Sequence, residues 1–201
     1  MYKPLSNKNN MNKVVMLRTP MVVAKWAHAS SICPPLGLAY IAAAVKQAGY
    51  DLRCIDSVGE APFQKIIMDN DNFIKYGLTT KQILDKLATE DFHILFVSLM
   101  FSHDWPIAKS IIKSIKKEHP NILLICGGEH INACPEFCLN DCSEIDVCAI
   151  GEGEETCIEL LSAIEQKTTL NNVKGIVFLF NRREEILGLI FSGKFIIGMR
   201  N

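Results

Sequence analysis

The apolar run Asn121-Ile122-Leu123-Leu124-Ile125-Cys126 ends abruptly in Gly127-Gly128-Glu129-His130, and this junction constrains the fold more than any other stretch. A short apolar run bounded by turn signals predicts a strand buried on both faces, as in a parallel sheet. The glycine pair then falls at the strand's carboxyl end. Open α/β sheets bind ligands along that edge, and residues without side chains let a bulky group approach the backbone there.

Other segments repeat the pattern. Lys13 to Arg18 predicts a first strand, and a long loop from Thr19 to Pro34 follows. A helix then runs from Pro35, a residue favoured in first turns, to a stop at Gly49, with Leu38, Ile41, Ala42 and Val45 on one face. Leu52 to Asp56 gives a second strand and completes one right-handed βαβ unit. Residues 57–90 read as a second crossover with an insertion: an amphipathic piece from Phe63 to Met68, then a helix capped by Thr79 or Thr80 that carries Ile83, Leu84 and Leu87.

His93 to Ser98 is the third strand, and Asp104 is placed to cap a helix. In that helix Ala108, Ile111, Ile112 and Ile115 point inward, while Lys109, Lys113, Lys116 and Lys117 form a solvated face. The glycine-terminated strand follows, then a short helix from Pro135 to Leu139 and a fifth strand from Ile145 to Ile150. Gly151-Glu152-Gly153-Glu154-Glu155-Thr156 opens a helix that buries Cys157, Leu160, Leu161 and Ile164. Gly175 to Phe180 is a further strand, and Ile186 to Ile197 a weak hairpin around Ser192-Gly193.

These units predict an α/β, doubly wound, flavodoxin- or Rossmann-like five-stranded parallel sheet with helices on both faces and a short C-terminal β extension. Residues 1–12 are a polar, flexible lead-in, 13–173 the domain, and 174–201 the extension, read as a truncated linker.

At 201 residues the chain can bury roughly 70% of its unfolded surface. A hydrophobic fraction of 49% and a formal net charge of −1 point away from nucleic acid and anionic membranes and favour a small molecule. The run from Ile186 to Met199 is interrupted by Ser192, Gly193 and Lys194 and is too short to span a membrane. Eight cysteines are scattered, several within apolar strand-like runs, and no signal peptide is evident; both fit a reducing cytoplasm.

Four loops share the carboxyl edge: Thr19 to Pro34, Leu99 to His103, Gly127 to His130, and Gly151 to Gly153. Singly each is ordinary turn chemistry, but jointly they can line one crevice. Gly151-Glu152-Gly153 has the form of a phosphate turn. However, Glu152, Glu154 and Glu155 would repel a pyrophosphate, so a dinucleotide is disfavoured. Those carboxylates suit the helix N-terminus, or accept hydrogen bonds from a ligand's amides or hydroxyls.

Cys134, Cys138 and Cys142 recur every four residues, which on one helix would make a stripe. Pro135 and Asn140-Asp141 argue against a continuous helix, and iron–sulfur and zinc sites more often use C-x2-C-like turns, so small buried residues are the simpler reading. His130 is either a ligand contact or a hydrogen-bonded loop residue. No Ser-His-Asp or paired-carboxylate set can be assembled, so no catalytic residue is assigned.

Pro34 to Ala43 with Ala48-Gly49-Tyr50, Ser98 to Ser102, Gly127 to His130, and Gly151 to Thr156 resemble the amino-terminal cobalamin (vitamin B12)-binding domain of cobalamin-dependent radical S-adenosylmethionine enzymes, over about residues 13–180. The resemblance implies that the corrin and nucleotide tail lie over the carboxyl ends of the strands. The implied contacts are Pro35, Leu36, Gly37 and Leu38; Ser98, Leu99, Met100, Phe101 and Ser102; Gly127, Gly128, Glu129 and His130; and Gly151, Glu152 and Gly153. Related mutase-type domains supply a lower cobalt ligand from Asp-x-His-x-x-Gly. Aligning that glycine with Gly37 puts Pro34 at the histidine position and Ile32 at the aspartate position, so the implied cobalt has no lower axial histidine from the protein.

The family's Cys-x3-Cys-x2-Cys motif, which ligates a four-iron cluster, does not occur in this sequence, and no iron–sulfur cluster is expected in it. The expected role is to hold cobalamin for a radical S-adenosylmethionine domain supplied in trans, for methyl transfer or related radical chemistry. The chain alone is not expected to be catalytic. The alternatives are a degenerate, cofactor-free regulatory or protein-binding module and, less favoured, a nucleotide-using Rossmann-like enzyme. On the cobalamin reading, Gly128→Leu adds bulk at the ligand edge and abolishes binding without unfolding the domain.

Overall fold

The computed structural model describes residues 13–26, 32–68 and 72–179, together with the backbone of residues 185–186 and 189–190. The chain runs from β1 (Lys13–Arg18) through β2 (Met21–Ala24) to α1 (Leu36–Gln47) and β3 (Asp51–Asp56). Then come α2 (Ser57–Glu60), β4 (Lys65–Ile67), β5 (Phe73–Tyr76), α3 (Thr80–Leu87) and β6 (Ile94–Ser98). α4 (Trp105–Glu118), β7 (Leu123–Gly127), α5 (Glu129–Ala133), α6 (Pro135–Asp141), β8 (Val147–Ala149), α7 (Gly153–Glu165) and β9 (Ile176–Val177) follow. β10 (Glu185–Ile186) pairs antiparallel with β11 (Leu189–Ile190). The expected hairpin turn at Ser192-Gly193 lies outside the described residues, as do the lead-in and Phe180.

The main sheet has six strands in the order β3-β1-β6-β7-β8-β9. β3, β1, β6, β7 and β8 are mutually parallel, whereas β9 pairs antiparallel with β8 through Cys148 opposite Val177 and Ala149 opposite Ile176. The expected five parallel strands are therefore present, and a sixth, antiparallel strand covers the β8 edge. The parallel strands follow the flavodoxin-like order, which reverses its winding direction beside β1.

Side-chain alternation along these strands builds two cores. Val15, Leu17, Leu95, Val97, Leu124, Cys126 and Cys148 face α3, α4, α5 and α6. Val14, Met16, Ile94, Phe96, Leu123, Ile125 and Val147 face α1 and α7. Helix starts are chemically specified: Thr79 and Gln82 form a reciprocal capping box at α3. In α4, Ala108, Ile111, Ile112 and Ile115 all lie within 1% of complete burial. Each isoleucine there contributes roughly 1.5–3 kcal/mol through burial.

Three expectations are corrected. The long loop and the insertion are not irregular: β2, β5 and β4 form a separate antiparallel sheet, packed by Met21, Val58 and Tyr76, and the piece from Phe63 to Met68 supplies strand β4. Asp104 stands at the α4 N-cap position but makes no side-chain cap bond; its carboxylate accepts the Val22 N–H at 2.7 Å and ties β2 to the helix start. Lys116 does not join the solvated lysines. It is 5% exposed, and its Nζ donates to the Ile122 carbonyl and to Asp146, both at 2.7 Å, while Asp146 also accepts the Leu124 N–H. The helix end is thereby fastened to the start of β7 through a buried ion pair.

Candidate functional site

At the carboxyl edge, the ends of β1, β6, β7 and β8 and the facing helices α1 and α7 enclose a groove of about 190 Å³. Gly37 and Leu38 come from α1, Ser98 and Met100 from the β6 end, and Gly127, Gly128 and Glu129 from the β7 end; Gly151, Glu152 and Gly153 come from the start of α7. Of the four loops anticipated from the sequence, Leu99 to His103, Gly127 to His130 and Gly151 to Gly153 supply lining residues, whereas no described residue of Thr19 to Pro34 does.

Close backbone packing holds two of these loops together. The Leu99 N–H donates to the Gly127 carbonyl at 2.8 Å, and the His130 N–H donates to the Leu99 carbonyl at 3.2 Å. Gly128 sits between them at φ +103°, where a Cβ would stand 2.5 Å from the Leu99 carbonyl oxygen. Only glycine fits there without strain. A Gly128→Leu change would thus disturb the fold as well as the ligand edge, and it does not separate the two effects. Gly127 differs: a Cβ would meet only Ala149 atoms at 3.5 and 3.8 Å, ordinary contacts. Packing does not demand glycine at this position, yet it opens onto the groove.

The remaining expected contacts lie elsewhere. Leu36 precedes the groove and is 68% exposed, beside Pro35. Leu99 is fully buried, and Phe101 stacks on His103 with centroids 5.3 Å apart. Ser102 and His130 meet each other at 2.9 Å between the Ser102 Oγ and His130 Nδ1. His130 is buried against Trp105 and two cysteines, and burial lowers its pKa. Of the residues expected to bind cofactor, Pro35, Leu36, Leu99, Phe101, Ser102 and His130 are thus absent from the groove lining.

Sequence reasoning missed Met16, Ile41, Phe96, Val97, Asn132, Ala149, Glu154 and Cys157, which also line the groove. The period-two pattern that sends Met16 and Phe96 to the α1/α7 face carried the signal for the strand residues. The Asn132 side-chain carbonyl accepts the Gly151 N–H at 2.9 Å, joining α5 to the acidic loop. Cys157 is a neutral thiol, pushed up to about 12 by burial and then by Glu154. Glu129, Glu152 and Glu154 give the lining an acceptor-rich character, unsuited to a pyrophosphate and suited to amide or hydroxyl donors.

A doubly wound domain with a glycine-rich ligand groove at its carboxyl edge, beside the winding reversal, defines a cofactor-binding α/β module. The model of the B12 binding domain family matches residues 25–161, and the chain belongs to that family. Cytidylyl-2-hydroxyethylphosphonate methyltransferase from Streptomyces wedmorensis is 28% identical over 145 residues, covering 72% of this chain and 27% of the methyltransferase. The radical S-adenosylmethionine methyltransferase TsrM from Kitasatospora setae, solved with cobalamin and a 4Fe-4S cluster bound, superposes with a TM-score of 0.63 at 15% identity, over 86% of this chain and 28% of TsrM. The cobalamin-dependent S-adenosylmethionine radical enzyme OxsB, solved with aqua-cobalamin and S-adenosylmethionine bound, gives 0.65 at 15% identity, over 92% and 23%. Both solved structures show the shared fold, and the chain spans under a third of each of these three relatives. Among the described residues no helix is long and apolar enough to cross a membrane.

Proposed function

We propose that this chain binds cobalamin at the carboxyl-edge groove and presents it to a radical S-adenosylmethionine domain outside this sequence, for methyl transfer or related radical chemistry. The observation that carries the reading is Gly127: its missing side chain is not required by packing, and it leaves space at the carboxyl edge, where open α/β sheets bind ligands. Family membership supports cobalamin as the occupant of that space.

In this reading Gly37 and Gly127 let the cofactor approach the backbone, Gly153 makes room for Ile41 of α1, and Leu38 and Met100 offer apolar contact. Glu129, Glu152 and Glu154 accept hydrogen bonds from the primary amides at the corrin periphery. A groove of about 190 Å³ admits an appendage of so large a molecule, with the macrocycle resting over the rim. When bound, cobalamin supplies a cobalt centre able to carry a methyl group or exchange electrons. The protein's part is to orient that centre and shield one face. The described groove lining contains no histidine, and Pro34 stands at the position aligned with the mutase-type ligand; His28 lies outside the described residues.

The test is an absorbance titration of the reduced protein with hydroxocobalamin and methylcobalamin, followed by desalting. Retained cofactor with a spectrum shifted towards the form lacking the lower base supports the assignment. A folded protein that retains neither form defeats it.

A further inference from the structure

On the far side of α5 from the groove, three side chains with metal-binding chemistry converge. His130, Cys134 and Cys138 each offer one donor atom, and the three atoms lie within 4.8 Å of one another. The Cys134 and Cys138 Sγ atoms are 4.0 Å apart, and Cys138 Sγ is 3.4 Å from His130 Nε2. A tetrahedral zinc ion with ordinary bond lengths requires S···S and S···N edges of about 3.8 and about 3.6 Å. The two separations already match those edges to within a few tenths of an ångström.

The surroundings are also suitable. Ser102 Oγ, 2.9 Å from Nδ1, holds the imidazole so that Nε2 faces Cys138, the orienting contact that metal-bound histidines usually receive. Trp105 packs on the ring at 5.1 Å between centroids, and Phe137 packs on Trp105 at 6.2 Å, giving an apolar wall. His130 and Cys138 are buried, whereas Cys134 is partly exposed and provides an entry side. The sequence spacing His-x3-Cys-x3-Cys brings the donors together although α5 breaks at Cys134 and α6 starts at Pro135.

We propose that His130, Cys134 and Cys138 form a binding site for a thiophilic d¹⁰ cation, zinc being the ion that the one-nitrogen, two-sulfur donor set fits. The fourth position is open to water or an external ligand. Binding converts both thiols to thiolates and releases their protons to solvent; Cys134 then gives up its present donation to the His130 carbonyl at 3.2 Å. Without metal, burial and the neighbouring Cys134 push the Cys138 thiol up to about 12, so it is neutral and unreactive. The site stands on its own geometry and is independent of the cobalamin reading.

The experiment uses the full reduced chain, without cobalamin, loaded with Zn²⁺ and desalted. Stoichiometric retained zinc is expected, with tetrahedral d–d bands and thiolate charge transfer when Co²⁺ replaces it. Ser102→Ala should weaken zinc affinity about 10- to 100-fold. His130→Gln and Cys138→Ser should lose the bands, while Cys142→Ser, whose thiol donates to Glu144 instead, should keep them. If a variant fails to fold, wild-type protein still decides the matter: mass-mapped alkylation of Cys134 should slow when zinc is present. A folded wild-type chain that holds no zinc, alkylation of Cys134 unaffected by zinc, or zinc retained by folded His130→Gln and Cys138→Ser variants would each overturn the proposal.

Discussion

The Asn132 side-chain carbonyl accepts a 2.9 Å hydrogen bond from the Gly151 N–H, so the loop opening α7 takes its position from a residue on α5. Such a bond contributes about 0.5–1.5 kcal/mol net. Asn132→Ala should therefore lower stability by about that amount and, by loosening the Gly151 loop, weaken cobalamin binding by up to about tenfold. Unchanged affinity in the titration would mean that this tie does not shape the binding site.

Gly127 and Gly128 separate ligand space from fold space. Gly127→Val places its Cβ at ordinary distances from Ala149 and should leave the unfolding midpoint nearly intact while abolishing cofactor retention. Gly128→Ala should instead lower stability by about 1–3 kcal/mol, because φ +103° and the Leu99 carbonyl both oppose a side chain. Paired urea titrations and desalting assays distinguish them, and cofactor retained by folded Gly127→Val would remove the corrin from that edge.

The buried Lys116–Asp146 pair should respond asymmetrically. Lys116→Met leaves a carboxylate with 3% side-chain exposure without its lysine and should cost about 3–5 kcal/mol. Combining it with Asp146→Asn should recover part of that loss, since the buried charge is gone. A urea denaturation cycle over the four proteins measures the coupling, and strictly additive losses would argue against it.

Asp104 supplies a pH signature. Desolvation raises its pKa despite the Val22 N–H, which opposes the shift together with His103 and Arg18. The folded state thus holds this proton more tightly than the unfolded chain. The resulting stability is present below the unfolded pKa and is lost as pH rises through the folded one. Asp104→Asn keeps an acceptor for Val22 and should be at least as stable as wild type at neutral pH, with the advantage vanishing on acidification. An advantage that grew towards low pH would reverse this assignment.

The central strands were legible because β1, β6 and β7 are continuous apolar runs whose neighbours lie one crossover away. The small sheet was not, since β2 and β5 are four residues each and find one another only across the α1–β3 unit. The roles of Asp104 and Lys116 were hidden similarly: their partners lie 82 and 30 residues distant, and nothing local distinguishes Lys116 from Lys113. At the ligand edge the glycines announced the loops, but not which side of α5 each residue would take. Glu129 and Asn132 turn to the groove, while His130 turns to the cysteines; the four-residue step linking Cys134 and Cys138 extends back to His130 and was the available clue.

β9 runs opposite to β8, starting near the groove and travelling away from it. At Val177, which pairs with Cys148 in the middle of β8, the chain is therefore heading away from the ligand mouth. To reach a molecule seated there, a chain on that heading must reverse its direction. A catalytic partner encoded downstream would thus need a returning connector, whereas a separate polypeptide could approach the exposed face directly, and the sheet's last strand sets that difference in reach.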